Sequence, residues 1–196
     1  MAKLVYTAIS SLDGYVADAA GNFDWSMPDQ EVHAYVNDLE RDIGTYLYGR
    51  RLYEVMKVWE PFRGQPGHTP EFTDFANIWC QAQKVVYSTT LREATTEKTR
   101  IEPVFDVDAV RQLKAEATQN LSVGGAELAG QALKAGLVDE IHLFLSPVII
   151  GGGKRSLPDG ARSPLELLDQ RDFGNGVVHL HYAVNAGRGT TQPVES

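Results

Sequence analysis

Short strand-like runs alternate with helix-patterned runs along most of this chain, and the connections between them are brief. "KLVYTAIS" (3–10), residues 45–48, residues 84–88 and "NLSV" read as strands, and "IEPVF" as a further short one. Helical spacing of apolar residues runs over 29–42, 50–58, 70–81, 107–117 and 126–136. Strands joined through helices cannot close as hairpins. They pair in parallel through right-handed crossovers, in a sheet covered by helices.

The end of the chain breaks this rhythm. "EIHLFLSPVII" is one long apolar strand with Pro147 inside it, which points to an edge or a bulge there. "VVHLHYAV" alternates with period two, and only a weak turn near Pro164 to Leu168 separates the two. The pair is therefore expected to be antiparallel, at one side of a mainly parallel sheet. The expectation is an α/β fold in one domain over 1–184, with a polar, frayed tail over 185–196. A length of 196 residues suits one hydrophobic core, and no repeat or linker divides it.

The formal charge of -8 argues against a nucleic-acid surface, so the few cations are read locally. Cys80 is the only cysteine, leaving no internal disulfide and no CxxC pair. No apolar run approaches membrane-span length and the start lacks a secretory pattern. A cytoplasmic protein without membrane or nucleic-acid partners is expected.

Cations are disfavoured at a helix N terminus, yet Arg50 and Arg51 follow Gly49 in the first turn of the helix at 50–58. Two more strands end in groups that suit an anion: Tyr87-Ser88-Thr89-Thr90 and Val123-Gly124-Gly125-Ala126. Ligands of such sheets bind where strand carboxyl ends meet helix N termini. Gly124 and Gly125 let a group approach the backbone, Ser88 and Thr89 offer hydroxyls, and the arginines offer charge-assisted contacts. A bound polyphosphate, such as a dinucleotide, reconciles the two arginines with their position. Singly, each feature reads as a tight turn or a solvated charge; the same βα position three times favours the ligand. No P-loop and no GxGxxG after the first strand are present.

"AISSLDGYVA", "YGRRLYE" and "SVGGAELAGQAL…GLVDEIHLFLSPVIIGGGK" resemble the dihydrofolate-reductase-like superfamily, closest to the riboflavin biosynthesis reductase (RibD C-terminal) domain. The resemblance covers about residues 3–184. It implies a mixed, mostly parallel sheet with a closing antiparallel pair, and NADPH as cofactor. Ala8, Ile9, Gly14 and Tyr15 match the segment lining the nicotinamide. Gly49, Arg50 and Arg51 match the helix start at the diphosphate and 2′-phosphate, and Ser88 and Thr89 the strand end beside the adenosine phosphate. Val123, Gly124, Gly125, Ala126, Glu127 and Leu128 match the turn under the diphosphate.

On the substrate side, "WSMPDQEVHAY" is similar to the Trp-x-x-Pro start of the first helix in true dihydrofolate reductases, where an acid two residues after the proline holds the pterin. Here that position is Gln30, flanked by Asp29 and Glu31, which argues against folate reduction. Asp29 substitutes only if the helix starts differently. His33 is a candidate substrate contact or a solvated helix residue, and Trp25 a lid over a flat ring or a core closure. Asp13 reads as a turn former in "LDG", in a segment that borders the active site of the family. His179 and His181 share a strand face at a zinc-compatible spacing. No third ligand presents itself and both read as half-exposed, so no metal is expected. "LFLSPVII" reads equally as a homodimer interface or as core.

The resulting expectation is an NADPH-dependent reductase acting on a small heterocyclic or sugar-linked carbonyl or imine, as in riboflavin-type 5-amino-6-(5-phosphoribosylamino)uracil reduction. With no deaminase motif, a stand-alone reductase, or a relative with a different substrate, is expected. The alternatives are dihydrofolate reduction and a non-catalytic NADPH-binding protein.

Overall fold

The computed structural model describes residues 1–185. In chain order, β1 (Leu4–Ser11) and the short β2 (Tyr15–Ala17) lead through a 3-10 turn (Asp24–Ser26) to α1 (Gln30–Glu40). Then follow β3 (Ile43–Gly49), α2 (Arg50–Met56), α3 (Trp59–Phe62), α4 (Pro70–Gln81), β4 (Gln83–Tyr87), β5 (Thr99–Glu102) and α5 (Val107–Glu116). The last part holds β6 (Asn120–Gly124), α6 (Ala126–Lys134), β7 (Glu140–Ser146), β8 (Lys154–Arg155), β9 (Leu165–Asp172) and β10 (Val178–Val184).

An eight-stranded sheet runs in the order β5-β4-β3-β6-β1-β7-β10-β9. The strands from β5 to β7 are parallel, and β10 pairs antiparallel with both β7 and β9. This is the mixed α/β architecture that the sequence implied.

Alternation along each strand supplies two cores. Leu4, Tyr6, Ala8, Leu47, Val85 and Leu121 pack on one face with α5 and α6 residues. Val5, Tyr46, Tyr48 and Val86 pack on the other with Phe75 and Trp79 of α4. Phe144 of β7 joins Val32 and Phe173 in a smaller cluster beneath α1. The side chains of Asp29, Thr69 and Asp106 cap α1, α4 and α5 by accepting from first-turn N–H groups. No helix among the described residues is long and apolar enough to cross a membrane.

Several boundaries differ from the sequence expectation. Ile43, at helical spacing from Leu39, instead opens β3 opposite Asn120, a position that suits its β-branched side chain. Pro147 ends β7 rather than lying within it, because it has no N–H for the ladder. Leu143 and Phe144 are buried within the chain, while Ile149 is exposed. Tyr15–Ala17, not among the expected strands, pairs with Lys154–Arg155. Leu165–Asp172, where only a weak turn near Pro164 to Leu168 was expected, is a full edge strand with no buried residue, so no alternating pattern announced it. His179 is fully buried, not half-exposed. Of the expected frayed tail, residues from 186 onward lie outside the described part.

Candidate functional site

β1, β3 and β6 run parallel, so their carboxyl ends share one edge of the sheet, and there a cleft of about 1340 Å³ opens. Ala8 and Ile9 of β1 form part of its wall, with Arg51, Leu52 and Met56 of α2 facing the turn Gly124-Gly125-Ala126-Glu127. The far rim is β8, which brings Lys154 and Arg155 to the mouth.

The placement of β8 depends on one glycine. A Cβ on Gly153 would lie 2.1 Å from the Ala17 carbonyl oxygen, so only glycine lets the backbone pass β2 this closely. Asp13 fixes the preceding loop. Its carboxylate accepts from Ser11 Oγ at 2.6 Å and from the amides of Ile150 and Gly151 at 3.2 and 2.8 Å. These bonds, that from Ser11 foremost, hold its pKa below the usual carboxylate range. Gly14, at φ 90°, accepts from Ser156, while the Tyr15 ring lies 5.6 Å from the Arg155 guanidinium carbon. Asp13, Gly14 and Tyr15 thus build the wall behind β8 without lining the cleft.

At the mouth, Lys154 Nζ lies 2.9 Å and Arg51 Nη1 3.6 Å from Glu127 Oε1. The Lys154 contact in particular holds the Glu127 carboxyl below its ordinary range. With Arg155 also at the mouth, three cations gather here in a chain of net charge -8, and Lys134 lines the cleft from the far end of α6. The N termini of α2 and α6, unlike those of α1, α4 and α5, receive no side-chain cap. In α6, the first-turn amides of Ala126, Glu127 and Leu128 have no partner within the helix and the positive dipole end adds to the cationic rim.

The glycines divide by role. Gly49 has φ -74° and a Cβ there would meet nothing within 4 Å, so its bareness answers neither packing nor backbone. Gly125 has φ 88°, a conformation that the turn into α6 requires. Gly124 answers to packing: a Cβ would lie 2.5 Å from Leu52 Cδ2 and 2.9 Å from Tyr48 Cε1. Val123 and Leu128 are buried behind the turn in the core. Beside the cleft but outside its lining, Arg50 donates to Thr90 Oγ1 at 2.6 Å, and Ser88 Oγ accepts from the Leu91 amide at 2.9 Å. Thr89 is exposed at the same strand end.

The inner end of the cleft holds a group that the sequence reading passed over. Glu40, at the end of α1, lines the cavity although only 6% exposed. Burial raises its carboxyl pKa from 4.5 to about 7. Tyr46 is 2% exposed and its hydroxyl lies close enough to favour the carboxylate without closing a hydrogen bond. Glu40 Oε2 and Tyr46 Oη find no partner among the described residues. Tyr48 stacks on Tyr46 at 5.3 Å and accepts from Trp79 Nε1 at 3.2 Å.

The expected substrate-side residues lie elsewhere. Asp29 accepts from the Val32 amide as the cap of α1, and its other oxygen accepts from Asn175. Gln30 is exposed in the first turn. His33 packs between Trp59 and Phe75, where burial lowers its pKa. Trp25 sits in the 3-10 turn, and the neighbouring Phe23 and Ser26 reach the cleft instead.

Glu40 carried no sequence signal beyond an acid in a helical stretch. Lys154 and Arg155 follow a glycine run, a signal that the resemblance includes up to Lys154 without giving it a role in the site.

The family model for the RibD C-terminal domain matches residues 2–179. The uncharacterized protein YyaP of Bacillus subtilis (strain 168) is 28% identical over 185 residues, 93% of this chain and 95% of that protein. A putative riboflavin biosynthesis protein from Shewanella sp. PV-4 superposes with a TM-score of 0.72 at 20% identity, over 93% of this chain and 99% of that one. A diaminohydroxyphosphoribosylaminopyrimidine deaminase/5-amino-6-(5-phosphoribosylamino)uracil reductase from Thermotoga maritima gives 0.65 at 17% identity, and there this chain spans 57% of the longer protein. With nearly its whole length matched, the chain belongs to the RibD C-terminal domain family, a family of reductase-like domains.

Proposed function

We propose that the protein is an NADPH-dependent reductase that delivers hydride to a small heterocyclic or sugar-linked carbonyl or imine. The observation that carries this reading is the gathering of Arg51, Lys154 and Arg155 near the uncapped start of α6, at the mouth of a cleft that runs inward to Glu40. Cations and unpaired amides at one end fit a diphosphate, and the apolar walls beyond fit flat rings. The Thermotoga maritima protein is described as a 5-amino-6-(5-phosphoribosylamino)uracil reductase, which is consistent with such a substrate.

The chain's own residues divide the work. Gly125 and the first-turn amides of α6 hold the diphosphate, with Arg51 and Lys154 leaving Glu127 for it. Arg50, beside Ser88 and Thr90, receives the 2′-phosphate. Ala8 and Ile9 support the nicotinamide ring, and NADPH, when bound, supplies the hydride. Glu40, half protonated near neutral pH, gives a proton to the substrate atom next to the carbon that is reduced. Its burial limits its contact with water, and the nearby Tyr46 hydroxyl tempers the rise in its pKa.

The test is a fluorescence titration of the protein with NADPH and with NADH, followed by the same titration of Arg50→Ala. Saturable NADPH-selective quenching is expected, and the variant is expected to lose about tenfold in NADPH affinity while NADH changes little, as for one charge-assisted contact. Absence of binding by either dinucleotide removes the reductase reading. Equal losses for both would remove only the 2′-phosphate role of Arg50. A carboxylate at Glu40 also suits the folate alternative, but the acid is at the far end of α1 from Gln30, so that alternative has no support from helix position.

A further inference from the structure

Outside the cleft, the described residues bring one group of metal-ligating side chains together. His181 of β10 lies opposite His142 of β7 in the antiparallel register, and Glu140 precedes His142 by two residues on the same face. One ligand atom from each of Glu140, His142 and His181 falls within 4.8 Å of the others. His181 Nε2 is 3.2 Å from Glu140 Oε2, yet their geometry does not close a hydrogen bond. The rings of His142 and His181 stack at 4.0 Å. Behind them, His142 Nδ1 and the fully buried His179 Nε2 are 3.0 Å apart.

We propose that Glu140, His142 and His181 form a binding site for one zinc-type divalent ion, which clamps β7 to β10 where the sheet turns from parallel to antiparallel. None of the three lines the cleft, so the site is separate from the reductase machinery. His142 is 5% exposed, and its ring is held in place against the fully buried His179. If His142 donates its Nδ1 hydrogen to His179, its Nε2 lone pair is left for the ion, the arrangement by which metal-bound histidines are usually oriented. Glu140 offers Oε2, since its Oε1 is held by Lys3. That ammonium is on an exposed side chain and can stay on the outer oxygen or swing away.

Two imidazoles and one carboxylate suit zinc, cobalt, nickel or copper better than magnesium or calcium. Zinc bonds of about 2.0–2.2 Å place tetrahedral ligands roughly 3.3 Å apart. The widest separation must therefore close, and the His181 ring must turn out of its stack on His142 for both imidazoles to point at one ion. Water completes the fourth position.

The experiment uses the untagged protein treated with EDTA and exchanged into chelator-free buffer. Zinc chloride is titrated by calorimetry, and thermal unfolding is followed with and without zinc; magnesium chloride is the control. One equivalent of zinc at submicromolar Kd and a higher Tm are expected, with no response to magnesium. His181→Ala is expected to keep the fold by circular dichroism and to weaken zinc by more than about 100-fold, since loss of even an outer partner of a ligand costs about 10- to 100-fold. If that variant does not fold, Glu140→Gln makes the same comparison. No saturable heat and no Tm shift at millimolar zinc overturns the site, as does unchanged affinity in the folded variants.

Discussion

Lys154 and Glu127 meet across the mouth of the cleft with 2.9 Å between Nζ and Oε1, although one stands in a two-residue strand and the other in the first turn of α6. The Glu127 carboxylate also lies 3.6 Å from Arg51, so one acid occupies two of the cations proposed to meet a phosphate. Both pairs are substantially exposed, and such pairs contribute about 0–1 kcal/mol each. They are therefore easily exchanged for a dianion.

This makes Lys154 the clearest probe of the rim. Lys154→Ala is expected to weaken NADPH about tenfold, as loss of one contact to a charged group does, and to flatten the salt dependence of binding. The fold is expected to be unchanged, because Lys154 contacts Glu127 at the surface. Dinucleotide titrations at low and high salt check this; a variant with wild-type affinity and salt slope leaves Lys154 out of the phosphate site.

Glu40 carries an expectation for both catalysis and stability. Its pKa rises from 4.5 to about 7 on folding, so the native state binds the proton more tightly than the unfolded chain. The stability it contributes is full below pH 4.5 and is lost as pH rises through 7, a change of about 3 kcal/mol. Glu40→Gln is expected to remove that decline. His142 and His179, lowered to about 3 and about 4, act in the opposite sense: they support the fold above pH 6.5 and cease to as pH falls towards those values. Their contribution is common to both proteins and cancels in the difference between the two stability curves. Parallel denaturant curves for wild type and Glu40→Gln between pH 5 and 8 make the comparison, and identical slopes against pH leave Glu40 without a raised pKa. For any substrate found to oxidise NADPH, the wild-type rate is expected to fall above pH 7 and the variant to lack that limb.

Much of the fold was legible because the decisive elements have two-sided or one-sided burial. β1, β3 and β6 sit centrally in the sheet, and their side chains alternate between two apolar cores, which produced clear runs. β9 was not legible, since none of its eight residues is buried and no pattern of burial is imposed on them. At and beside the cleft, the strand ends at Gly49, Ser88 and Gly124 could be found because βα geometry fixes where they lie. β8 reaches the rim through tertiary packing of Gly153 on Ala17, which local sequence does not encode. Glu40 was invisible for a related reason: its burial depends on β3 and α4 closing over the end of α1.

Asp29 and Glu40 separate two readings of the same helix. Asp29 caps α1 through the Val32 amide, so Asp29→Ala is expected to cost about 1 kcal/mol of stability. Its effect on NADPH affinity and turnover is expected to be small at temperatures where the variant is folded. Loss of turnover with stability intact would restore Asp29 as the proton donor and favour the folate-type arrangement.

Gly124 tests how the cleft floor is built. A Cβ at this position would come within 2.5 Å of Leu52 Cδ2 and 2.9 Å of Tyr48 Cε1. Leu52 is the more yielding neighbour, because it is a single side chain on a short helix, whereas Tyr48 is wedged against Tyr46 and bonded to Trp79. Gly124→Ala is expected to destabilise by about 1–3 kcal/mol, the usual cost of overpacking. It is also expected to weaken NADPH, since relief of the clash pushes Leu52 and the start of α2 towards the cleft. Leu52→Ala in the same chain removes the nearest clash, so part of the lost stability is expected to return in the double variant. A strictly additive cycle would mean that Gly124 is required by something other than Leu52, with the Tyr48 ring the next neighbour that a Cβ would meet.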